Sequence, residues 1–177
     1  MNSELIAHTP IFDLVKLDEV QTGFRPVAVQ SKDWATMIAF DGDDVYTVSQ
    51  LRYGRNMEFT ELPCGIVEDS EDPKKAAIRE FEEETGIHII RESDVIHLGS
   101  LAANPAFMTN RMHYYFIRLN SHNYEKTMQK LDEHEKISVR KMPFHNFSAV
   151  LELQEGSAIM GGGMWLLLKY LAKQFGM

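Results

Sequence analysis

The sequence predicts an α/β fold in which a mixed β-sheet is covered by helices on both sides, and three observations carry that reading. Apolar runs of strand length recur at residues 11–20, 26–29, 34–40 and 45–51, and again at 95–102, 112–119 and 137–142. Between the two groups lies one helix, residues 73–85, with start and stop signals at both ends. Two further helical patterns, 144–153 and 158–175, close the chain. Strands on either side of a helix, with more helices at the end, fit a sheet packed on both faces.

Taken in order, the run at 11–20 is Ile-Phe-Asp-Leu-Val-Lys-Leu-Asp-Glu-Val, followed by a turn near Gly23 and the short run at 26–29. The strands at 34–40 and 45–51 are joined by Asp41-Gly42-Asp43-Asp44, which is hairpin punctuation. Asp72 is placed to cap the first free amides of the central helix, and Pro73 suits its first position, where a missing N–H costs nothing. Gly86 ends that helix, because glycine tolerates the left-handed conformation that closes many helices. Residues 121–131 are polar with scattered apolar positions and read as a loop or short helix. In the last helix Trp165, Leu166, Leu168 and Leu171 recur at helical spacing and are expected to face the core. Gly161, Gly162 and Gly163 weaken its start.

A chain of 177 residues suffices for one domain with a real core, and no repeat or linker-like stretch marks a boundary, so residues 1–177 are read as one unit. At 44% apolar and 25% charged, the composition excludes wholesale disorder. No apolar run has the length of a membrane span, and the N-terminus lacks the basic-then-apolar order of a signal peptide. A cytoplasmic location without a membrane partner is expected. The one cysteine, Cys64, excludes an internal disulfide and agrees with a reducing compartment. With no cation or helix N-terminus in view to activate it, a small buried thiol at a turn is the simpler reading than a nucleophile. The net charge of −8 opposes extended nucleic acid as a partner, since such binding needs many Lys and Arg on phosphates. A short, metal-chelated phosphate group stays compatible, because the metal brings the positive charge. The histidines share no metal-ligand spacing, which argues against a zinc site.

Glu80, Glu83 and Glu84 are related as i, i+3 and i+4, so their carboxylates project from one side of the central helix. Like charges one turn apart repel, and the last turn of a helix also disfavours anions. An acidic run of this kind is either a solvated face or a site for a hard divalent cation such as Mg²⁺ or Mn²⁺, which prefers oxygen ligands. Arg79, within the run, is placed to neutralise and orient a carboxylate. Because the three charges are read as exposed, loss of Glu84 is expected to relieve repulsion and spare the fold.

The full spacing around this run decides between the two. Gly65, Glu71, Arg79, Glu80, Phe81, Glu83, Glu84, Gly86 and Ile87 fill every fixed position of a pattern that resembles the Nudix box. The resemblance is firm over residues 61–87 and covers 25–175 in outline. It implies the α/β/α sandwich of that family and metal-dependent hydrolysis of a diphosphate bridge. It further implies Glu80 and Glu84 as leading metal ligands, assisted by Glu83 and by the backbone carbonyl of Cys64.

Flanking stretches bear on the substrate. Arg52 and Arg55 precede the metal helix in an acidic protein, where guanidinium forks suit phosphate. Arg55 fits an anion contact or a surface ion pair equally. Gln50-x-Arg52-Tyr53 followed by Glu61-Leu62-Pro63 resembles the ADP-ribose and nucleotide-sugar pyrophosphatase branch, which implies Gln50, Arg52 and Glu61 as substrate residues and ADP-ribose as the first substrate. The loop from Asn104 to Arg111 carries Pro105 and Phe107 between two strands and reads as substrate-facing, with core packing the alternative for Phe107. Pro105 falls 18 residues past Ile87, slightly farther than that branch's spacing. Its mobile-loop Glu, thought to activate water, falls near Glu133, with Glu135 as second choice; solvated loop acids are the alternative. Members of the branch commonly share N-terminal strands across a two-fold, which implies a homodimer through residues 1–24. Competing readings are a nucleoside triphosphate or dinucleoside polyphosphate hydrolase, and a nucleotide-sensing module that does not cleave.

Overall fold

The computed structural model describes residues 3–18, 23–146 and 158–176. Its N-terminal sheet is antiparallel and three-stranded, β1 (Ser3–His8), β2 (Asp13–Leu17) and β3 (Val27–Gln30), in that order. The expected strand at 11–20 is thus shorter, its last two residues lie outside the described residues, and β1 before it has no counterpart in the sequence reading.

The main sheet runs β12-β5-β4-β10-β9, built from β4 (Trp34–Asp41), β5 (Asp44–Arg52), β9 (Ile96–Ala102), β10 (Arg111–Arg118) and β12 (Ser138–Pro143). β10 is parallel to β4 and every other pairing is antiparallel, so the sheet is mixed. β4 and β5 touch only at their hairpin end, where Phe40 pairs with Val45. Beyond it they part: β6 (Met57–Glu61) takes the far half of β5, and β7 (Cys64–Ile66) takes the first half of β4. That split opens one end of the sheet. A two-stranded ribbon, β8 (Ile87–Ile89) with β11 (Tyr124–Lys126), lies apart, and the rest of 121–131 is turn and loop, as one of the two expectations had it.

Each face of the sheet carries a helix. Alternate residues of β4 point to opposite sides, as the pleat requires. Ala35, Met37 and Ala39 pack with Ala77, Ile78 and Phe81 of α1 (Pro73–Thr85), while Ile38 and Phe40 pack with Met160 and Leu167 of α2 (Ala158–Phe175). Phe81 is fully buried, and its loss should cost about 3–5 kcal/mol. The caps of α1 form as expected: Asp72 Oδ1 accepts the Lys74 N–H, Pro73 opens the helix, and Gly86 closes it at φ 69°.

The sheet-facing side of α2 is rotated from the expected one. Leu166 is buried and Leu171 packs on the core, but Trp165 and Leu168 are 56% and 51% exposed, and Trp165 stacks under the Lys169 ammonium. The glycines set this phase. A Cβ on Gly162 would lie 2.7 Å from the Tyr114 hydroxyl, and one on Gly163 would lie 2.9 Å from Leu62, so the helix meets β10 through its bare backbone. Of the helix expected at 144–153, Phe144–Asn146 form one 3₁₀ turn and 147–153 lie outside the described residues.

Candidate active site

The open end between β4 and β5 holds a cavity of about 370 Å³, walled by Trp34, Gln50 and Arg52 from the sheet, by β7, by Glu80, Glu83 and Glu84 of α1, and by Lys130, Asp132 and Glu135 from the loop before β12. A hollow of about 440 Å³ on the other flank of α1 has Lys75 paired with Glu92 and the His88 ring hydrogen-bonded to Glu82, and lacks Glu80 and Glu84. The sheet-end cavity is therefore the candidate site.

Glu84 comes from the packed side of α1 rather than its exposed edge and is only 4% exposed. This corrects the expectation that its charge sits free in solvent. Its Oε2 accepts the backbone N–H of Cys64 at 3.0 Å. Burial, reinforced by the charges of Glu80 and Glu135, pushes the Glu84 carboxyl up to about 9. Burial also raises Glu80, against the opposing pull of Arg79, and Glu83 and Glu135 raise it further. The Glu80 carboxylate lies over Gly65: a Cβ there would sit 2.0 Å from the Glu80 carboxyl carbon, so only glycine fits beneath it.

Arg79 binds four partners at once. It grips Glu71 through Nε and Nη2 at 3.0 and 3.1 Å, reaches Glu80 Oε1 and Glu83 Oε2 through Nη1 at 2.7 and 3.1 Å, and donates to the Ile66 carbonyl at 3.0 Å. Glu71 in turn accepts the Glu68 N–H, which ties the loop from Gly65 to Glu71 onto the helix. The box thus holds its own acids apart by a guanidinium.

Among the described residues no three His, Cys, Asp or Glu groups converge closely enough to hold a metal ion. The donor set nonetheless fits a hard divalent cation. Glu80, Glu83, Glu84 and Glu135 line one cavity and all offer oxygen, and burial followed by mutual repulsion raises Glu80 and Glu84, a cost that a cation among them would offset. Arg52, Arg79 and Lys130 on the wall are outnumbered by Glu68, Glu80, Glu83, Glu84, Asp132 and Glu135.

Arg52 points into the cavity and is held from behind by Glu61, whose Oε2 accepts Arg52 Nε at 2.6 Å. Glu61 is 4% exposed and stands behind Arg52 rather than on the cavity wall, so it reaches a ligand only through that arginine. Arg55 lies in the β5–β6 turn, outside the wall. Phe107 is half exposed and away from the cavity; its loop is docked on β3, with Val29 N–H on the Phe107 carbonyl and Thr109 N–H on the Val29 carbonyl. Core packing, the alternative for Phe107, does not describe it.

Glu135, the second choice, lines the cavity, and Glu133, the first, is exposed outside it. Lys130 and Asp132 are wall residues that sequence reading missed, since a polar loop gives no periodicity to place them. Cys64 is half-buried against the site, and desolvation of its thiol, with Glu84 beside it, pushes the thiol far up, which leaves it unreactive.

The NUDIX domain model matches residues 32–160. Relatives include an ADP-ribose pyrophosphatase of Haemophilus influenzae, 28% identical over 153 residues, which span 79% of this chain and 69% of that protein. An ADP-ribose pyrophosphatase of Bacillus subtilis is 26% identical over 141 residues, 80% of this chain and 74% of its own. A methanol dehydrogenase activator of Bacillus methanolicus is 31% identical over 103 residues, 58% of this chain and 54% of its own. Among solved structures, one described as an ADP compounds hydrolase superposes with a TM-score of 0.78 over 98% of this chain and 94% of its own. At 19% identity that likeness speaks to the fold.

Proposed function

The chain belongs to the Nudix family, and from that premise we propose that it hydrolyses the diphosphate linkage of a nucleoside diphosphate sugar, ADP-ribose first, to a nucleoside monophosphate and a sugar phosphate. The single observation that carries the reading is the cavity itself, in which the box acids Glu80, Glu83 and Glu84 and the loop acid Glu135 share one wall with Arg52, anchored by the buried Glu61. The two ADP-ribose pyrophosphatases among the relatives support the choice of substrate.

Glu80, Glu83, Glu84 and the Cys64 carbonyl would hold a divalent ion, Mg²⁺ or Mn²⁺, whose charge offsets that of the diphosphate. Arg52, braced by Glu61, offers a planar fork to a phosphate oxygen. Glu135 accepts a proton from water as the water oxygen bonds to one phosphorus. The bridging P–O bond then breaks, leaving two phosphate monoesters. Arg79 keeps Glu80 and Glu83 oriented.

A homodimer through the N-terminal sheet is part of the proposal, supported by Leu5, Ile6, Ile11 and Phe12, which this sheet and its turn leave exposed. A cytoplasmic location is proposed on the single cysteine, and no helix among the described residues is long and apolar enough to cross a membrane. The test is incubation with Mg²⁺ and a panel of ADP-ribose, other nucleotide sugars, dinucleoside polyphosphates and nucleoside triphosphates, with products identified by mass. AMP and ribose phosphate from ADP-ribose, formed fastest of the panel, is the expected result. Faster cleavage of triphosphates, or no cleavage at all, overturns it.

A further inference from the structure

The loop that carries Glu135 is fastened to the end of the acidic helix. Thr127 N–H donates to the Gly86 carbonyl at 2.7 Å, and Lys130 N–H donates to the Glu83 carbonyl at 2.9 Å. Between them the Gln129 side-chain amide donates to the Glu84 carbonyl at 2.6 Å and to the Ile137 carbonyl at 3.3 Å. Carbonyls in the last turn of a helix have no partner within it, so these are bonds the helix end needs. The two chains also touch closely: a Cβ on Gly86 would lie 2.8 Å from the Thr127 carbonyl oxygen and 3.1 Å from the Gln129 nitrogen. Gly86 therefore serves as a landing place for the loop as well as a helix stop.

One side chain thus joins three strands of backbone: the helix end beside Glu84, the entrance of the loop at Gln129, and its exit at Ile137. Within the closed loop, Glu135 N–H donates to the Asp132 carbonyl at 3.0 Å and Glu135 Oε2 accepts the Asp132 N–H at 3.1 Å, so its carboxylate is carried by a turn whose two ends are both clamped.

We propose that Gln129 is a positioning residue which clamps the Glu135 loop to the catalytic helix and so fixes the distance between the proton acceptor and the metal-binding acids. This rests on Glu135 being the base. A base set about 1 Å off its line loses on the order of a hundredfold in rate without loss of binding.

The experiment compares Gln129→Leu, which removes both donors, with Gln129→Glu, which keeps the shape and turns the donor into an acceptor. Each is made alone and on a Glu135→Gln background, with kcat and KM for ADP-ribose and Mn²⁺ affinity by electron paramagnetic resonance. The expected result is a kcat lowered about a hundredfold in both single variants, with KM and Mn²⁺ affinity held within about twofold. On the Glu135→Gln background the same changes add no further loss. If Gln129→Leu does not fold, the isosteric Gln129→Glu carries the same comparison. Wild-type kcat in the Gln129 variants beside an inactive Glu135→Gln overturns the clamp and leaves the base assignment standing. Full rate in Glu135→Gln overturns the base assignment and the clamp's purpose with it. A loss that adds in full on the Glu135→Gln background shows that Gln129 acts elsewhere, and also overturns the proposal.

Discussion

Glu84 Oε2 accepts the backbone N–H of Cys64 at 3.0 Å, so one carboxylate both faces the cavity and pins β7 to the last turn of α1. The two roles separate by substitution. Glu84→Gln keeps an oxygen for the Cys64 amide and should fold normally, while turnover falls on the order of a hundredfold or more for want of a charged metal ligand. Glu84→Ala leaves that amide unpaired in a buried place and should cost about 1–3 kcal/mol of stability besides. Steady-state rates and thermal melts of the two variants separate these effects.

Gly65→Ala should disable the site with little harm to the fold. The added Cβ would meet the Glu80 carboxyl carbon at 2.0 Å, and that carboxyl is the far end of a flexible side chain, which swings away rather than breaking the backbone. Weaker Mn²⁺ binding and a lower kcat, with a nearly unchanged melting temperature, are expected. A melting temperature that collapses instead would mean the strand, not the carboxylate, gives way.

Arg52 depends on Glu61 for its direction. Glu61→Gln removes the charge on which the guanidinium rests, and a lost charged hydrogen bond of about 1.5 kcal/mol or more corresponds to a KM for ADP-ribose about tenfold higher, at similar kcat. A fall in kcat with KM unchanged would place Arg52 in the chemical step instead.

Cys64→Ala should leave kcat close to that of the unsubstituted protein, because the site uses only the backbone of residue 64 and burial holds the thiol protonated. Abolished turnover in a folded Cys64→Ala protein would make the sulfur a participant.

What the sequence revealed about this molecule follows the range of the forces involved. The helix of Pro73–Thr85 was legible to the residue, since its caps are local chemistry read from Asp72, Pro73 and Gly86. The strands β6, β8 and β11 were not, because runs of three to five residues carry too little periodicity and owe their existence to partners distant in the chain. The side of α2 that meets the sheet was misread for a related reason. Apolar spacing gave the period, but Tyr114, on a strand some fifty residues earlier, selects the glycine side as the contact. In the site, the box acids were legible from spacing, yet the burial of Glu84 was not, since it depends on β7 lying across the helix. Choosing Glu135 over Glu133 likewise needed the turn at Asp132, which sets which of the two acids faces inward.

The most direct measurement is an anomalous scattering map from crystals of the protein grown with Mn²⁺. Mn²⁺ density bounded by the carboxylates of Glu80, Glu83 and Glu84 is the expected result. Crystals at saturating Mn²⁺ with no anomalous peak there, and with Glu80 still on Arg79 and Glu84 still on the Cys64 amide, would contradict it.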